Sequence, residues 1–222
     1  MTAETNRIRL LVWNYNYSSW SMRAGLALRC TGAPFDEDSV NVATGPRPEL
    51  ARLSPSGRFP LLLHGKVLVW DSLAIGEYLA DLFPRSGLLP RDVVARARVR
   101  SLCSEIHAGL ANLRQELPMN IRKARVQCTI SEAARAEVER AFELVRERQR
   151  LWAGATSSVL ADGLTLGDAF LAPLIMRFGS YRVPMPDDIQ AYADALLIHP
   201  AVKDWIARAL GDVFVDRQYE VV

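Results

Sequence analysis

The chain has 222 residues, half of them hydrophobic and 23% charged, with a formal net charge of +2. That balance fits a globular protein of one large or two small domains, with no general attraction to nucleic acid or to an anionic membrane. No apolar run reaches the roughly 18 residues that a membrane helix needs. The polar start, Met1 to Arg9, contains no apolar signal segment, so the expected compartment is the cytoplasm.

The elements follow in chain order. Ile8 to Val12 reads as a buried strand. It runs into the loop Asn16-Tyr17-Ser18-Ser19-Trp20-Ser21, and the loop runs into a helical pattern from Met22 to Arg29, with Gly32 suited to its C-terminal cap. Phe35 to Val42 reads as a weaker strand, followed by a loop or short helix. Leu61 to Leu63 and Val67 to Trp70 flank His64-Gly65-Lys66 as a hairpin. Asp71 to Phe83 is a helix, with Ile75, Tyr78, Leu79 and Leu82 on one face, and Pro84 stops it. The order is βαβ-α-ββα over residues 1–84.

After a linker at residues 85–90 the texture becomes helical. Arg91 to Leu117, Ser131 to Trp152, Thr165 to Tyr181, Asp187 to Leu197 and Pro200 to Leu210 are the expected helices. The expected fold class is therefore α/β plus all-α, with a second, all-helical domain over 91–222. The charges from Glu137 to Arg150 alternate in sign and read as a solvated helix face. Cys30, Cys103 and Cys128 are far apart, with no metal spacing, and read as buried structural thiols. His64, His107 and His199 show no ligand spacing either, and His64 reads as a solvated turn residue.

Three pieces of the first domain carry chemistry. The hydroxyls of Ser18, Ser19 and Ser21 gather at a helix start, where unpaired backbone N–H groups and the helix dipole favour an anion. Gly57-Arg58-Phe59-Pro60 precedes a strand; a cis Phe59–Pro60 bond would turn the Phe59 backbone toward an extended peptide. Asp71-Ser72 opens the next helix, where Ser72 and free N–H groups suit a carboxylate and Asp71 suits an ammonium. An ammonium and a carboxylate on one carbon are the end of an α-amino acid. Each piece alone also reads as an ordinary helix cap or strand boundary.

In order and spacing, these pieces resemble the cytosolic glutathione transferase superfamily over nearly the whole chain. The first domain resembles its thioredoxin-like domain, and Leu164-Thr165-Leu166-Gly167-Asp168-Ala169-Phe170 resembles its capping motif in the helical domain. The Ser-Ser-x-Ser loop is most similar to the zeta class among the serine types. The resemblance implies glutathione as co-substrate and a small electrophile as second substrate, in a homodimer. It implies Ser18 as the thiol-activating hydroxyl, with Ser19 as competitor. It implies Trp20, Arg58, Phe59, Pro60, Asp71 and Ser72 as the glutathione-binding residues.

A free thiol near pKa 8.5 is only a few per cent ionised at pH 7, and a depression of about two units makes the thiolate dominant. No cysteine lies in the loop, which argues against disulfide exchange through a protein thiol. Tyr15, Tyr17, Leu110, Met119, Arg122, Phe178 and Tyr181 are the expected lining of the second-substrate pocket, and Arg122 and Arg177 are candidates to hold an anionic substrate. A maleylacetoacetate-type isomerase or a dehalogenase would keep the serine site and change the helical pocket. A non-catalytic glutathione-binding protein would keep the fold alone.

Overall fold

The computed structural model describes residues 7–42, 45–46, 48–124, 126–152, 160 and 163–220. Most of the polar N-terminal stretch lies outside them. Strand β1 (Ile8–Val12) leads to α1 (Ser19–Cys30), β2 (Phe35–Ser39), the short pair β3 (Asn41–Val42) and β4 (Gly45–Pro46), α2 (Pro48–Ala51), β5 (Leu61–His64), β6 (Val67–Trp70) and α3 (Ser72–Leu82). The second part comprises α4 (Val93–Ala108), α5 (Ala111–Glu116), α6 (Glu132–Trp152), α7 (Leu166–Ser180), α8 (Asp187–Ile198) and α9 (Pro200–Gly211), then a 3-10 turn at Arg217–Tyr219. This is the expected thioredoxin-like sheet followed by a helical region.

The sheet order is β2-β1-β5-β6. β1 and β2 are parallel, with Ile8 opposite Phe35, while β5 runs antiparallel to both β1 and β6. Leu10 and Val12 point toward the core shared with α1 and α3, and Leu11 points to a smaller cluster with Val40, Leu50 and Leu61. The alternation is what a strand buried on both faces requires.

Two expectations about element boundaries change. The single strand expected over 35–42 is two, because the chain leaves the main sheet at Val40. The single helix expected over 91–117 is also two. It breaks at Gly109-Leu110, where Leu110 adopts a left-handed backbone with φ 56°.

α1 is buried nearly all round, because it lies between the sheet and the helical domain. It packs on α3 on one side and on α7 and α9 on the other. Gly25 makes that approach possible: a Cβ there would fall inside the ring of Trp205, which is itself fully buried on α9. Gly76 of α3 does the same, with a Cβ at 2.5 Å from Leu166 of α7.

The capping box at the start of α7 is present. Thr165 accepts from the Asp168 N–H, and the Asp168 carboxylate accepts from the Thr165 N–H at 2.8 Å. The same carboxylate accepts from the Tyr192 hydroxyl at 2.8 Å and pairs with Arg148 at 2.7 Å, all of it buried. Arg148 therefore departs from the solvated face expected over 137–150: it turns inward because a buried carboxylate needs a cation. The other charges there do lie outward, as in the Arg140–Glu105 and Arg146–Asp188 pairs. Cys103 is buried as expected, while Cys30 and Cys128 are half-buried. His64 is not merely solvated, since its Nδ1 lies 2.8 Å from the Tyr78 hydroxyl.

Gly25→Ala is expected to destabilise the chain by about 1–3 kcal/mol, because the added methyl must displace a close-packed indole. Chemical denaturation of the purified variant checks this, and an unchanged midpoint would contradict the tight contact.

Candidate functional site

One cleft of about 790 Å³ opens where the first domain meets the helical one. Its floor is the N-terminal turn of α1. Ser18 has an extended backbone and caps the helix, its Oγ accepting from the Ser21 N–H at 3.2 Å. The helix thus begins at Ser19, three residues earlier than the hydrophobic pattern shows, because caps and first turns carry polar residues that periodicity ignores. The Ser18 hydroxyl also donates to Ser21 Oγ at 2.9 Å, and Ser21 Oγ accepts from the Trp13 N–H at 3.1 Å.

The expected peptide-binding pieces converge on this floor. Ser18, Ser19, Trp20, Arg58, Phe59, Pro60, Asp71 and Ser72 all line the cleft. The Phe59–Pro60 bond is cis. Asp71 takes a strained φ of 78° and caps α3 through Oδ1, which accepts from the Leu73 N–H at 2.8 Å. Its Oδ2 lies 3.3 Å from His107 Nε2 of α4. Ser72 Oγ is buried and has no hydrogen-bond partner among the described residues, at the N-terminal turn of a helix that lines the cleft. A buried hydroxyl without a partner costs free energy, and a ligand carboxylate on the α3 N-terminus would supply the partner.

The expected second-substrate residues divide. Tyr17, Met119 and Arg177 line the cleft. The other five do not. Tyr15 packs edge-on to Trp205, and its hydroxyl donates to Glu37. Leu110 and Phe178 are in the helical core, Phe178 against Phe142, and the Tyr181 hydroxyl donates to the Pro118 carbonyl at 2.9 Å. Apolar residues on buried helices default to the core, and these follow that rule.

Arg122 is committed to the C-terminal tail. Its guanidinium donates to the carbonyls of Asp212 and Phe214 and to the Tyr17 hydroxyl at 3.0 Å. The tail is tied further by Asn14 Nδ2 donating to Asp212 at 2.6 Å and by the Tyr17 hydroxyl donating to Glu220 at 2.5 Å. Tyr219 stacks on Tyr17 at 5.3 Å and forms one wall of the cleft.

Sequence reasoning missed Arg114, His107, Trp13, Trp70 and Tyr219, all of which line the cleft. Arg114 and His107 point inward because α4 and α5 are separate helices. The Gly109 in the long helical pattern was the available signal for that break. Tyr219 lies in a tail with no periodicity to read.

The electrostatics are one-sided. Arg23, Arg114 and Arg177 gather under and beside the cleft, and none of the three forms an ion pair with a carboxylate among the described residues. Burial, with Arg177 and Arg114 nearby, lowers Arg23 to about 9. Burial and the Arg114 charge lower Arg177 to about 10. Both remain cations at neutral pH. The Arg23 guanidinium stacks over the Trp20 ring at 4.5 Å, which offsets part of its desolvation. Burial also lowers His107, against the pull of Asp71 and helped by the charges of Arg23 and Arg114.

The chain is similar to known proteins in sequence and in fold. Residues 17–82 match the family of glutathione S-transferase N-terminal domains. Glutathione S-transferase 1 of Dianthus caryophyllus is 28% identical over 79% of each chain. The chain is thus similar to glutathione transferases over most of its length. Similar proteins include a zeta-class glutathione S-transferase of Euphorbia esula, 32% identical over 42% of this chain and 43% of that one. A probable maleylacetoacetate isomerase of Caenorhabditis elegans is 23% identical over 87% and 88%. Among solved structures, a glutathione transferase homolog from Burkholderia GL BGR1 with bound glutathione superposes with a TM-score of 0.66 at 22% identity, covering 91% of this chain and 97% of that one. The superfamily's fold thus extends over both parts of the chain.

Arg122→Ala is expected to loosen the tail while leaving the helical core intact. Hydrogen exchange should show faster amide exchange across 212–220 and unchanged protection in α7. Equal protection of the tail in the variant would contradict the anchoring role.

Proposed function

We propose that this chain is a glutathione transferase that lowers the pKa of the glutathione thiol at the first turn of α1 and directs the thiolate onto a small electrophile. The observation that carries this reading is the placement of two polar helix starts in one cleft. The α1 start offers hydroxyls and the positive end of the helix dipole to a sulfur anion. The α3 start offers the buried Ser72 hydroxyl and the Asp71 carboxylate, whose Oδ2 faces His107, to an α-amino acid end. Arg58 and Phe59 line the same cleft, where they could meet the cysteinyl residue that bridges the two ends.

The chemistry follows from charge. A hydroxyl donating to sulfur, the α1 dipole and the nearby arginines all favour the thiolate over the thiol. The protein then supplies position and charge stabilisation, and glutathione supplies the nucleophile. The hydroxyl comes from the Ser18–Ser19 pair. Among the described residues no helix is long and apolar enough to cross a membrane, and the family likeness supports a cytoplasmic homodimer.

A second reading has its own support. Arg114 and Arg177 present cationic groups to the same cleft, and neither forms an ion pair with a carboxylate among the described residues. They favour an electrophile that carries a carboxylate, the substrate type of a maleylacetoacetate-like isomerase or a haloacid dehalogenase. Such a reaction uses the same thiolate, either returning it after bond rotation or keeping it after halide leaves. A purely binding role has no use for these cations.

Calorimetric titration and turnover test these readings together. Glutathione should bind, and Ser72→Ala should weaken it by roughly five- to fifty-fold, the loss of a buried hydrogen bond to a charged group. Arg114→Met should raise KM for a carboxylate-bearing electrophile at least tenfold while leaving KM for a neutral chlorinated nitroarene within about twofold. Binding without any turnover would leave the non-enzymatic reading. No glutathione binding would remove the proposal.

A further inference from the structure

Two serines compete for the role of sulfur donor, and their hydrogen-bond partners separate them. Ser18 is spent. Its hydroxyl accepts from the Ser21 N–H and donates to Ser21 Oγ, which is itself held by the Trp13 N–H. A hydroxyl has one proton to give, and that of Ser18 is directed into the helix cap rather than into the cleft.

Ser19 differs. It is the first residue of α1, it lines the cleft, and its Oγ accepts a hydrogen bond from Arg177 Nη2 at 3.1 Å. Arg177 stands on α7 in the helical domain and is 4% exposed. Its other terminal nitrogen donates to the carbonyls of Leu117 at 2.5 Å and Arg114 at 3.3 Å, which fixes the plane of the guanidinium. Its Nε has no partner, and no described carboxylate forms an ion pair with it. Because Ser19 receives a hydrogen bond from a cation, its own proton remains available to the cleft and is a stronger donor for it.

Resting on the glutathione reading above, we propose that Ser19 is the hydroxyl that donates to the glutathione sulfur and that Arg177 is its positioning residue, reaching from the helical domain to polarise it. The charged and titratable groups around the pair are Arg114, Arg23, His107, Tyr17, Tyr181, Tyr219 and Asp71. Of these, Asp71 is the one carboxylate, and it stands at the other end of the glutathione site. The thiolate would therefore sit beside a cation whose charge no protein acid has already neutralised. In this step only the S–H bond breaks: its electron pair stays on sulfur, the proton passes to solvent water as glutathione binds, and Ser19 keeps its own proton, which it donates to the thiolate.

The test is the pH titration of the bound thiol, followed through ultraviolet thiolate absorbance, alongside calorimetric affinity for glutathione. The full chain is used, as wild type, Ser18→Ala, Ser19→Ala, Arg177→Gln, Arg177→Lys and the Ser19→Ala/Arg177→Gln double variant. Ser19→Ala and Arg177→Gln should each raise the bound thiol pKa by about one unit, a tenfold loss of thiolate at a pH below it. Glutathione affinity of the uncharged thiol should stay within about threefold. Arg177→Lys should recover part of the shift, and it covers the case in which Arg177→Gln does not fold. The double variant should match Ser19→Ala alone, because Arg177 acts through that hydroxyl.

Fully additive shifts in the double variant would overturn the coupling. A tenfold effect of Ser18→Ala with none from Ser19→Ala would overturn the assignment. Wild-type protein that binds no glutathione, or binds it with the titration of the free thiol, would instead overturn the glutathione reading, and this inference would fall with it.

Discussion

The close packing of α1 against α7 governs the rest of the molecule. α1 has no solvent side: it is the layer shared by the sheet of the first domain and the helices of the second. That sharing requires glycine at position 25, where Trp205 lies against the backbone, and it brings Arg177 to the first turn of α1. The cleft end of the helix and the interdomain contact are therefore one structural problem. A helix buried this completely cannot fray at its N-terminus without disturbing both domains, which holds the hydroxyl turn in a fixed position.

The cleft inherits its chemistry from this arrangement. On the first-domain side, two helix starts and the segment containing Arg58, Phe59 and Pro60 suit a peptide with an ammonium, a carboxylate and a sulfur. On the helical side, arginines free of acidic partners suit an anion. Burying cations without acids is expensive, and the structure lessens the cost with aromatic faces and backbone carbonyls rather than with carboxylates. Arg23 rests on Trp20 and Phe170, and Arg177 is held by two carbonyls. Those partners satisfy donors without cancelling charge, so the field is left for the substrate.

Much of the first domain was legible in the sequence, and the reasons are physical. Strands of Leu and Val, a helix stopped by Pro84 and caps at Asp71 and Ser72 are local signals that the fold respects. The capping box at Thr165 and Asp168 was equally local, but its links to Arg148 and Tyr192 were not, because they join residues 20 and 24 positions away. The half of the cleft proposed to hold glutathione could be read because its pieces are helix starts and a proline boundary, each with a sequence signature. The second half could not. Its residues are set by the break at Gly109-Leu110 and by a tail folded back on Tyr17, and no periodicity encodes either. Phe178, Tyr181 and Leu110 went to the core because an apolar residue on a helix carries no mark of which side will face a cleft.

The central claim is that one cleft holds a glutathione with its sulfur at the start of α1 and its γ-glutamyl end at the start of α3. A crystal structure with glutathione bound measures this directly. The account predicts the sulfur within hydrogen-bond reach of a loop serine hydroxyl and the γ-glutamyl carboxylate on Ser72 Oγ, with the ammonium on Asp71. A peptide bound in reverse, or with its sulfur turned away from the α1 N-terminus, would contradict it.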